Sequence, residues 1–287
     1  VIGGIMEKTV MDTICSSFDS FFDSEKKIAK YILNHYQDVV DMTVGELALA
    51  SGASEASVSR FCKKIGVKGF HHLKISLAKE MVDLDTSEVK VSNHISADDI
   101  SQSLQNILAN KIEELKQTVS MMDNTQLSEI LNVIYHAHAV QFVAVGNTIP
   151  VAIDGTFKFN QIGIPAVSST IWENQIGYIY NMKKNDVVIA ISNSGESRGV
   201  ITAMEAAKEV GAISISITNN DQSTIAKASD YHITTATREK LFLDGYCFSR
   251  VSATTVIEIL YLFLTSMKED AYKSIARHEN AIAGDKF

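Results

Sequence analysis

Residues 187–200 read VVIAISNSGESRGV, an apolar run that stops abruptly at a cluster of hydroxyl residues. The first five residues are typical of a buried strand, and a helix is predicted from about Ser197 onward. The free N–H groups at the start of such a helix favour an anion. Ser192 and Ser194 add hydroxyl donors, and Gly195 lets the backbone approach a ligand closely. The stretch therefore predicts an anion site at the end of a core strand.

Strands and helices alternate through the whole second half of the chain. Apolar runs predict strands at 140–145, 164–168, 187–191, 212–217 and 231–235. This alternation predicts an α/β fold, a doubly wound, five-stranded parallel sheet with helices on both faces. Ligands of such sheets bind beyond the carboxyl ends of the strands, at the switch point. In one common strand order, 2-1-3-4-5, the first and third strands are neighbours there.

A second polar loop follows the first of these strands and reads AVGNTIP over residues 144–150. If the first and third strands are neighbours, both loops converge on one pocket that suits a phosphate. The alternative is that both loops are capping turns, in which Ser, Gly and Asn are common. Neither loop is a P-loop, and without GxGxxG a dinucleotide site is poorly supported. The predicted phosphate-binding residues are Gly146, Asn147, Thr148, Ser192, Asn193, Ser194, Gly195 and Ser197.

The N-terminal half is helical and contains a helix-turn-helix pattern. Residues 43–70 read TVGELALASGASEASVSRFCKKIGVKGF. Thr43 is a candidate N-cap for one helix, Gly52 lies where the turn needs a positive φ, and Ser54 is a candidate N-cap for the next helix. This spacing fits the geometry of a helix-turn-helix, whose second helix enters the major groove of DNA.

The second helix of this pattern has one apolar and one basic face. At about 100° per residue, Val58, Phe61, Cys62 and Ile65 fall within one sector, which must face the core. Residues 57–79 contain six basic residues and no acidic residue. We therefore predict that the basic face binds DNA; the alternative is a solvated face with incidental lysines. The predicted DNA-binding residues are Thr43, Ser54, Ser57, Ser59, Arg60, Lys63, Lys64 and Lys68, with Arg60 at base edges or phosphates and the lysines at phosphates.

Length and composition indicate a two-domain globular protein. The chain has 287 residues, of which 46% are hydrophobic, and a net charge of −8. That charge argues against a protein that coats nucleic acid over its whole surface, but not against a local basic face. We predict a helix-turn-helix domain at 6–83, a linker at 84–97 and an α/β domain at 98–287. Three widely spaced cysteines form no disulfide framework or metal knuckle, which suggests a reducing cytosol.

Two helices of the second domain carry unusual amounts of apolar surface. A long amphipathic helix is predicted from residue 98, with one stripe made by Ile100, Leu104, Ile107, Leu108, Ile112, Leu115, Val119 and Met122. A nearly all-apolar helix is predicted near 249–267. Its most apolar part, 256–264, is about half a membrane span long, so we predict a buried helix and no membrane partner. This helix is either a dimer surface or simply core.

Together the two halves resemble the RpiR-type bacterial transcription regulators. The stretches SEKKIAKYIL, TVGELALASGASEASVSRFCKKIG and KGFHHLK resemble the helix-turn-helix domain of that family, and DVVIAISNSGESR resembles the S-x-S-G-x-[ST] signature of its sugar isomerase (SIS) domain. The resemblance implies an SIS-type αβα sandwich that binds a phosphosugar through the two loops. The earlier G-x-G-x-S loop of the family corresponds to residues 144–148, where alanine replaces the first glycine and threonine the serine.

The resemblance implies a cytoplasmic regulator that binds double-stranded operator DNA as a homodimer or homotetramer, under the control of a phosphosugar effector. We expect no cofactor, no metal and no catalytic residue. One alternative is a sugar-phosphate isomerase or lyase with an accessory helical domain, because aldose–ketose isomerisation needs a base. Candidates by residue type are Glu173, Glu196, His232, Glu258 and His278, none of which lies in a catalytic motif. Another alternative is a phosphosugar-binding protein that acts on a protein partner.

Overall fold

The computed structural model describes residues 9–84, 93–241, 243 and 247–283, and the chain forms two compact units. The first unit runs to Met121 and also contains residues 236–249. The second unit contains residues 122–235 and the chain from Arg250 onward. Residues 98–121, expected in the second domain, thus belong to the first unit. Of the expected linker, residues 85–92 lie outside the described residues, as do the expected domain ends at 6–8 and 284–287.

Five helices form the helical core of the first unit. They are α1 (Val10–Ser17), α2 (Asp23–Val39), α3 (Val44–Ser51), α4 (Glu55–Lys64) and α5 (Phe70–Leu84). Ile28, Ile32 and Leu33 repeat at helical spacing on α2 and are fully or almost fully buried. They pack with Phe61 of α4 and Leu73 of α5 in one hydrophobic cluster. Burial of these large side chains, at about 1.5–3 kcal/mol each, stabilises this small helical unit.

The sixth helix, α6 (Ile100–Ser120), has its apolar stripe on the outside. Leu104 is 58% exposed and Val119 is 53% exposed, whereas Asn106 and Glu114 on the opposite side are 1% exposed. This arrangement reverses the usual orientation of an amphipathic helix, whose apolar stripe faces the core. The buried polar groups are hydrogen-bonded instead, as burial requires. One of these bonds runs from the Asn106 Nδ2 to the carbonyl oxygen of His94, at 2.7 Å.

Residues 236–249 join the first unit through packing and buried polar contacts. Leu241 is 2% exposed and belongs to the helical hydrophobic cluster. The Arg238 guanidinium lies 3.8 Å from the carboxylate of Asp12 on α1, and both side chains are buried. The carboxylate of Glu114 on α6 accepts the backbone N–H of Glu239 at 3.1 Å. This segment, which we call the return strap, is therefore held by side chains far from it in sequence.

The second unit alternates helices and strands in the predicted order. Its elements are α7 (Asn124–Tyr135), β1 (Val140–Ala144), α8 (Ile149–Gln161), β2 (Ala166–Val167), α9 (Trp172–Ile179), β3 (Val187–Ile191), α10 (Arg198–Val210), β4 (Ile213–Thr218), α11 (Thr224–Ala228), β5 (Tyr231–Thr234), α12 (Val251–Met267) and α13 (Ala271–Ile282). All five predicted strands are present, and four of them match closely in length. The second strand is the exception, because only two of its residues pair with β1.

The five strands form one parallel sheet, as predicted, and their order is β2-β1-β3-β4-β5, the common order in which the first and third strands are neighbours. Alternate residues of each strand point to opposite faces. Phe142 and Ile189 pack in a cluster with α7, α8 and α12, whereas Val143 and Val188 pack with α9, α10 and α11. Helices therefore cover both faces, which confirms the αβα sandwich.

Helix α12 has one buried side and one exposed side. Val256, Ile257 and Leu260 are fully buried, but Leu262 is 61% exposed. No single helix among the described residues is long and apolar enough to cross a membrane. Taken together, α12 and α13 pass the same test of length and composition, but they are bent by 112° relative to each other.

Candidate functional site

The loop after β1 forms a tight turn directly before α8. Gly146 has a φ of +62°, and residues 146–148 make one 3₁₀ turn. The Thr148 side chain is buried, and its hydroxyl donates to the carbonyl oxygen of Ile191 at 2.9 Å. Since Ile191 is the last residue of β3, this bond ties the first loop to the start of the second. Thr148 thus has a structural partner in addition to its expected role at a ligand.

The loop after β3 is folded around its first serine. Ser192 is buried, and its hydroxyl accepts the backbone N–H of Gly195 at 3.2 Å and lies 3.1 Å from the Ser197 hydroxyl. Gly195 has a φ of +70°, and a Cβ there would lie 2.1 Å from the Ser223 hydroxyl oxygen. The close approach at Gly195 is therefore to the loop between β4 and α11, and an approach of the backbone to a ligand there stays a prediction.

That neighbouring loop holds the second loop in place. The backbone N–H of Asn219 donates to the carbonyl oxygen of Asn193 at 2.9 Å. The Glu196 carboxylate accepts the N–H and the hydroxyl of Thr224, at 2.9 and 2.7 Å. With both partners on Thr224, the carboxylate connects the 192–197 loop to the first residue of α11.

Both loops lie at the same edge of the sheet, because β1 and β3 are neighbours. A Cβ on Gly199, in the first turn of α10, would lie 3.2 Å from the side chain of Val145 in the first loop. The sheet thus brings together all eight residues of the predicted phosphate site. Ser197 precedes α10 but makes no side-chain cap, so its hydroxyl does not satisfy the first-turn N–H groups. Such groups bind anions.

Two further residues of this edge were missed by sequence reasoning. The Arg250 guanidinium, directly before α12, lies 3.4 Å from the side-chain oxygen of Asn147. Gln175 of α9 is buried and donates to the carbonyl oxygen of Ala144 at 2.9 Å, where β1 ends. Neither residue lies in a local motif. Arg250 reaches the loop across about a hundred residues of sequence, so only the tertiary fold reveals it.

The candidate bases have mostly structural partners. Glu258 forms an ion pair with Lys158 at 3.1 Å, and the Nε2 of His232 lies 2.9 Å from the Thr218 hydroxyl. Glu173 is exposed on α9, and His278 lies on α13, 3.8 Å from the carboxylate of its neighbour Glu279. Glu196, in turn, is bound to Thr224, and none of the five candidates lies in a catalytic motif of the sequence.

The helix-turn-helix consists of α3 and α4, with the predicted caps. Gly52 has a φ of +64° and ends α3. Thr43 and Glu46 form a reciprocal capping box, in which the backbone N–H and hydroxyl of Thr43 lower the pKa of Glu46 below its usual value. Ser54 caps α4 by accepting the N–H of Ser57 at 3.2 Å. The hydroxyls of Thr43 and Ser54 thus hold the two helix starts.

The outer face of α4 presents the predicted basic surface in part. Three predicted contact residues on α4 are exposed, namely Ser59, Arg60 and Lys63. Lys68, which lies just beyond the end of α4, is exposed as well. Val58, Phe61, Cys62 and Ile65 are buried, as the periodicity predicts. Ser57 is also buried, and its hydroxyl accepts from the Arg60 guanidinium at 3.2 Å.

Lys64 has a competing partner within the first unit. Its ammonium lies 2.6 Å from the carboxylate of Glu25, which is largely buried, and 4.6 Å from the centre of the Phe22 ring. A contact between Lys64 and a DNA phosphate would have to compete with this ion pair.

A helix-turn-helix unit joined to an SIS-type αβα unit defines the class of this protein. Residues 8–83 match the family described as "Helix-turn-helix domain, rpiR family", and residues 133–263 match "SIS domain". The chain belongs to the RpiR family of HTH-type transcriptional regulators.

Relatives of similar length support this assignment. The chain is 35% identical to an uncharacterized HTH-type transcriptional regulator of Caldanaerobacter subterraneus, over 94% of each protein. It is 31% identical to the uncharacterized regulator YbbH of Bacillus subtilis, over 83% of this chain and 84% of YbbH.

Solved structures share the fold. Vibrio vulnificus NanR, complexed with ManNAc-6P, superposes with a TM-score of 0.58 at 22% identity, over 96% of this chain and 98% of NanR. The sugar isomerase domain of an RpiR transcription factor from Sphaerobacter thermophilus also gives 0.58 at 22% identity, over 63% of this chain and 99% of that domain. A putative phosphosugar isomerase involved in capsule formation from Bacteroides fragilis gives 0.54 at 22% identity, over 61% of this chain and 95% of that protein.

Proposed function

We propose that a phosphosugar bound at the two sheet-edge loops controls the binding of this regulator to operator DNA. The convergence of the two loops carries the proposal. Thr148 donates to the last carbonyl of β3, so the turn at 146–148 and the loop at 192–197 form one continuous polar edge. Neither loop alone would distinguish a ligand site from a capping turn.

The chemistry of this edge suits a phosphate group. Ser197 does not cap α10, so the first N–H groups of that helix are available to an oxyanion. The Ser194 hydroxyl accepts the N–H of Glu196 at 3.3 Å and keeps its own proton for a ligand. Arg250 beside Asn147 adds a positive charge and a planar fork of donors. Hydrogen bonds from a charged donor such as Arg250 to a phosphate are stronger than hydrogen bonds between neutral groups.

Vibrio vulnificus NanR, which shares this fold, is complexed with ManNAc-6P, and this ligand is a sugar phosphate. For the present chain, we base the proposal of a sugar-phosphate ligand on the chemistry of its own two loops, because similarity at 22% identity supports only a shared fold.

A sensing role is favoured over isomerisation. The carboxylates of Glu196 and Glu258 have structural partners, and the matching relatives of similar length are named as regulators. On the DNA side, Arg60, Lys63 and Lys68 present donors to base edges and phosphates. The effector can shift the DNA affinity only if it binds one arrangement of the protein more tightly than another. The resulting coupling free energy between the two sites is typically about 1–3 kcal/mol.

A thermal-shift screen tests the ligand class. Hexose, hexosamine and pentose phosphates are compared with their unphosphorylated sugars and with inorganic phosphate, and at least one sugar phosphate should raise the melting temperature. Ser194→Ala should weaken binding of that ligand by about 1–3 kcal/mol, read by calorimetry. Ser266→Ala, an exposed serine on α12, is the matched control and should leave the affinity unchanged.

The same ligand must then change the affinity for DNA fragments selected from the source genome. Equal ligand affinity in wild type and Ser194→Ala would contradict the proposed site. Turnover of the bound sugar phosphate into its aldose or ketose isomer would contradict the sensing role.

A further inference from the structure

The stripe of α6 is held outward by the polar side of the helix. The Ser103 hydroxyl donates to the carbonyl oxygen of Ser96 at 2.9 Å, and the Thr118 hydroxyl accepts the N–H of Ala236 at 3.0 Å. The Lys111 ammonium donates to the Ser249 hydroxyl at 3.0 Å. These contacts run along the whole inner side of α6. Rotating the helix to bury its aliphatic side chains would break them all and leave buried polar groups unpaired, which is costly.

The exposed side of α6 is a continuous aliphatic surface. Ile100 is 65% exposed and Leu108 is 54% exposed, and the other members include Leu104, Ile107, Ile112 and Val119 at 38–58%. With the partly exposed Leu115, we call these seven residues the outer stripe. The stripe covers about 28 Å of helix at 1.5 Å per residue. A contiguous apolar patch of several hundred Å² marks an interaction surface.

The spacing of the outer stripe is the same from either end. From Ile100, the next members follow after four and three residues, at 104 and 107. From Val119 backwards, the next members also follow after four and three residues, at 115 and 112. When two copies of α6 are placed antiparallel, about an axis between residues 109 and 110, Ile100 therefore faces Val119, Leu104 faces Leu115 and Ile107 faces Ile112.

The charged residues near the stripe fit the same pairing. In this register the positions opposite Lys116 and Glu113 are Ser103 and Asn106, which are buried on the inner side of α6, so no charged side chain opposes a like charge of the second copy. Lys111 faces Leu108, against which its aliphatic stem can pack. A two-fold interface uses the same patch of both subunits and requires such self-complementarity.

We propose that the outer stripe of α6 pairs with the outer stripe of a second copy of this chain, antiparallel, about a two-fold axis near residues 109 and 110. The occupant of the stripe is a second copy because the reversed spacing makes the stripe self-complementary and the register brings no like charges together. This pairing does not depend on a phosphosugar.

A charge-swap experiment tests the pairing and its direction. Leu104→Lys and Leu115→Glu each place one charge against an aliphatic side chain of the second copy, so each should raise the dissociation constant for self-association at least about tenfold. The double variant should restore association, because the introduced ammonium of one copy faces the introduced carboxylate of the other. Within one copy the two positions are about 16 Å apart along the helix and cannot pair.

Self-association is measured by sedimentation over a concentration series, with circular dichroism to verify folding. Ser128→Lys, at an exposed position of α7, is the matched control and should associate like wild type. A monomeric wild type, or single variants that associate like wild type, would overturn the proposal. Loss of association in the single variants without recovery in the double variant would overturn the antiparallel register.

Discussion

At the scale of single residues, the two loops depend on backbone conformations that only glycine adopts easily. Gly146 and Gly195 both have positive φ, but their surroundings differ. Around Gly146 a Cβ would meet open space, whereas at Gly195 it would overlap the Ser223 side chain. Gly195 thus combines a conformational requirement with a steric one, which fixes where the neighbouring loop can lie.

We expect Ala substitutions to separate these two requirements. Gly146→Ala should lower the free energy of unfolding by about 1 kcal/mol, from backbone strain alone. Gly195→Ala should lower it by about 3 kcal/mol or more, because Ser223 must also move. The measurement is urea unfolding followed by the fluorescence of Trp172, which lies in the same unit.

Gly177→Ala is the control for these variants. Gly177 lies in α9 with open space around a Cβ and no positive φ, so Ala there should stabilise the protein by about 0.5–1 kcal/mol. Equal effects of Gly146→Ala and Gly195→Ala would mean that contact with Ser223 does not matter.

At the scale of elements, the sequence pattern predicted the features that depend on neighbouring residues, but it missed those that depend on contacts between distant parts of the chain. The caps at Thr43 and Ser54, the buried face of α4 and the parallel sheet all follow from spacing, turn chemistry and the alternation of strands and helices. Periodicity also found the stripe of α6, but it could not show that the stripe faces outward. That orientation depends on hydrogen bonds to Ala236 and Glu239, more than a hundred residues away. Arg250 was missed for the same reason.

The two adjacent lysines of α4 should differ in their effect on DNA binding. Each phosphate contact contributes about 0.9 to the slope of log affinity against log salt. Lys63→Ala should therefore reduce the slope by about that amount, because Lys63 is exposed. Lys64→Ala should leave the slope nearly unchanged, because its ammonium is paired with Glu25.

Fluorescence anisotropy with labelled duplex over a salt series measures both slopes. Lys208→Ala, on α10 of the second unit, removes one charge elsewhere and is the control. An equal loss of slope in Lys63→Ala and Lys64→Ala would contradict the distinction.

At the scale of the whole molecule, the chain passes between its two units three times, at residues 121–122, 235–236 and 249–250. The return strap is part of the first unit although it lies between β5 and α12 in sequence. Its Arg238 joins a buried group of charges with Asp12 of α1, near Glu80 of α5. The integrity of the helical unit thus depends on residues that are far apart in the sequence.

The stability of the first unit should depend on pH through Glu80. Burial raises the pKa of this carboxyl from 4.5 to about 7, although Arg238 and the N–H groups of Val10 and Met11 oppose the shift. Between these two values the folded state holds a proton that the unfolded state has lost, so stability falls as pH rises. Glu80→Gln removes this dependence.

The free energy of unfolding of wild type, taken relative to Glu80→Gln, should therefore fall by about 2–3 kcal/mol between about pH 5 and pH 8. Urea unfolding followed by circular dichroism at both pH values measures the difference. Glu55→Gln, at an exposed position of α4, should show no such trend. Parallel pH curves for wild type and Glu80→Gln would contradict a raised pKa.

The return strap also has a consequence for engineering new sensors from this family. A chimera made by a single crossover after α5 or α6 would combine one parent's DNA reader with the other parent's strap. Leu241 and Arg238 would then have to fit a foreign hydrophobic cluster and a foreign Asp12. A graft of the reader therefore has to include residues 236–249 as a second insert, so the exchangeable part is discontinuous in the gene.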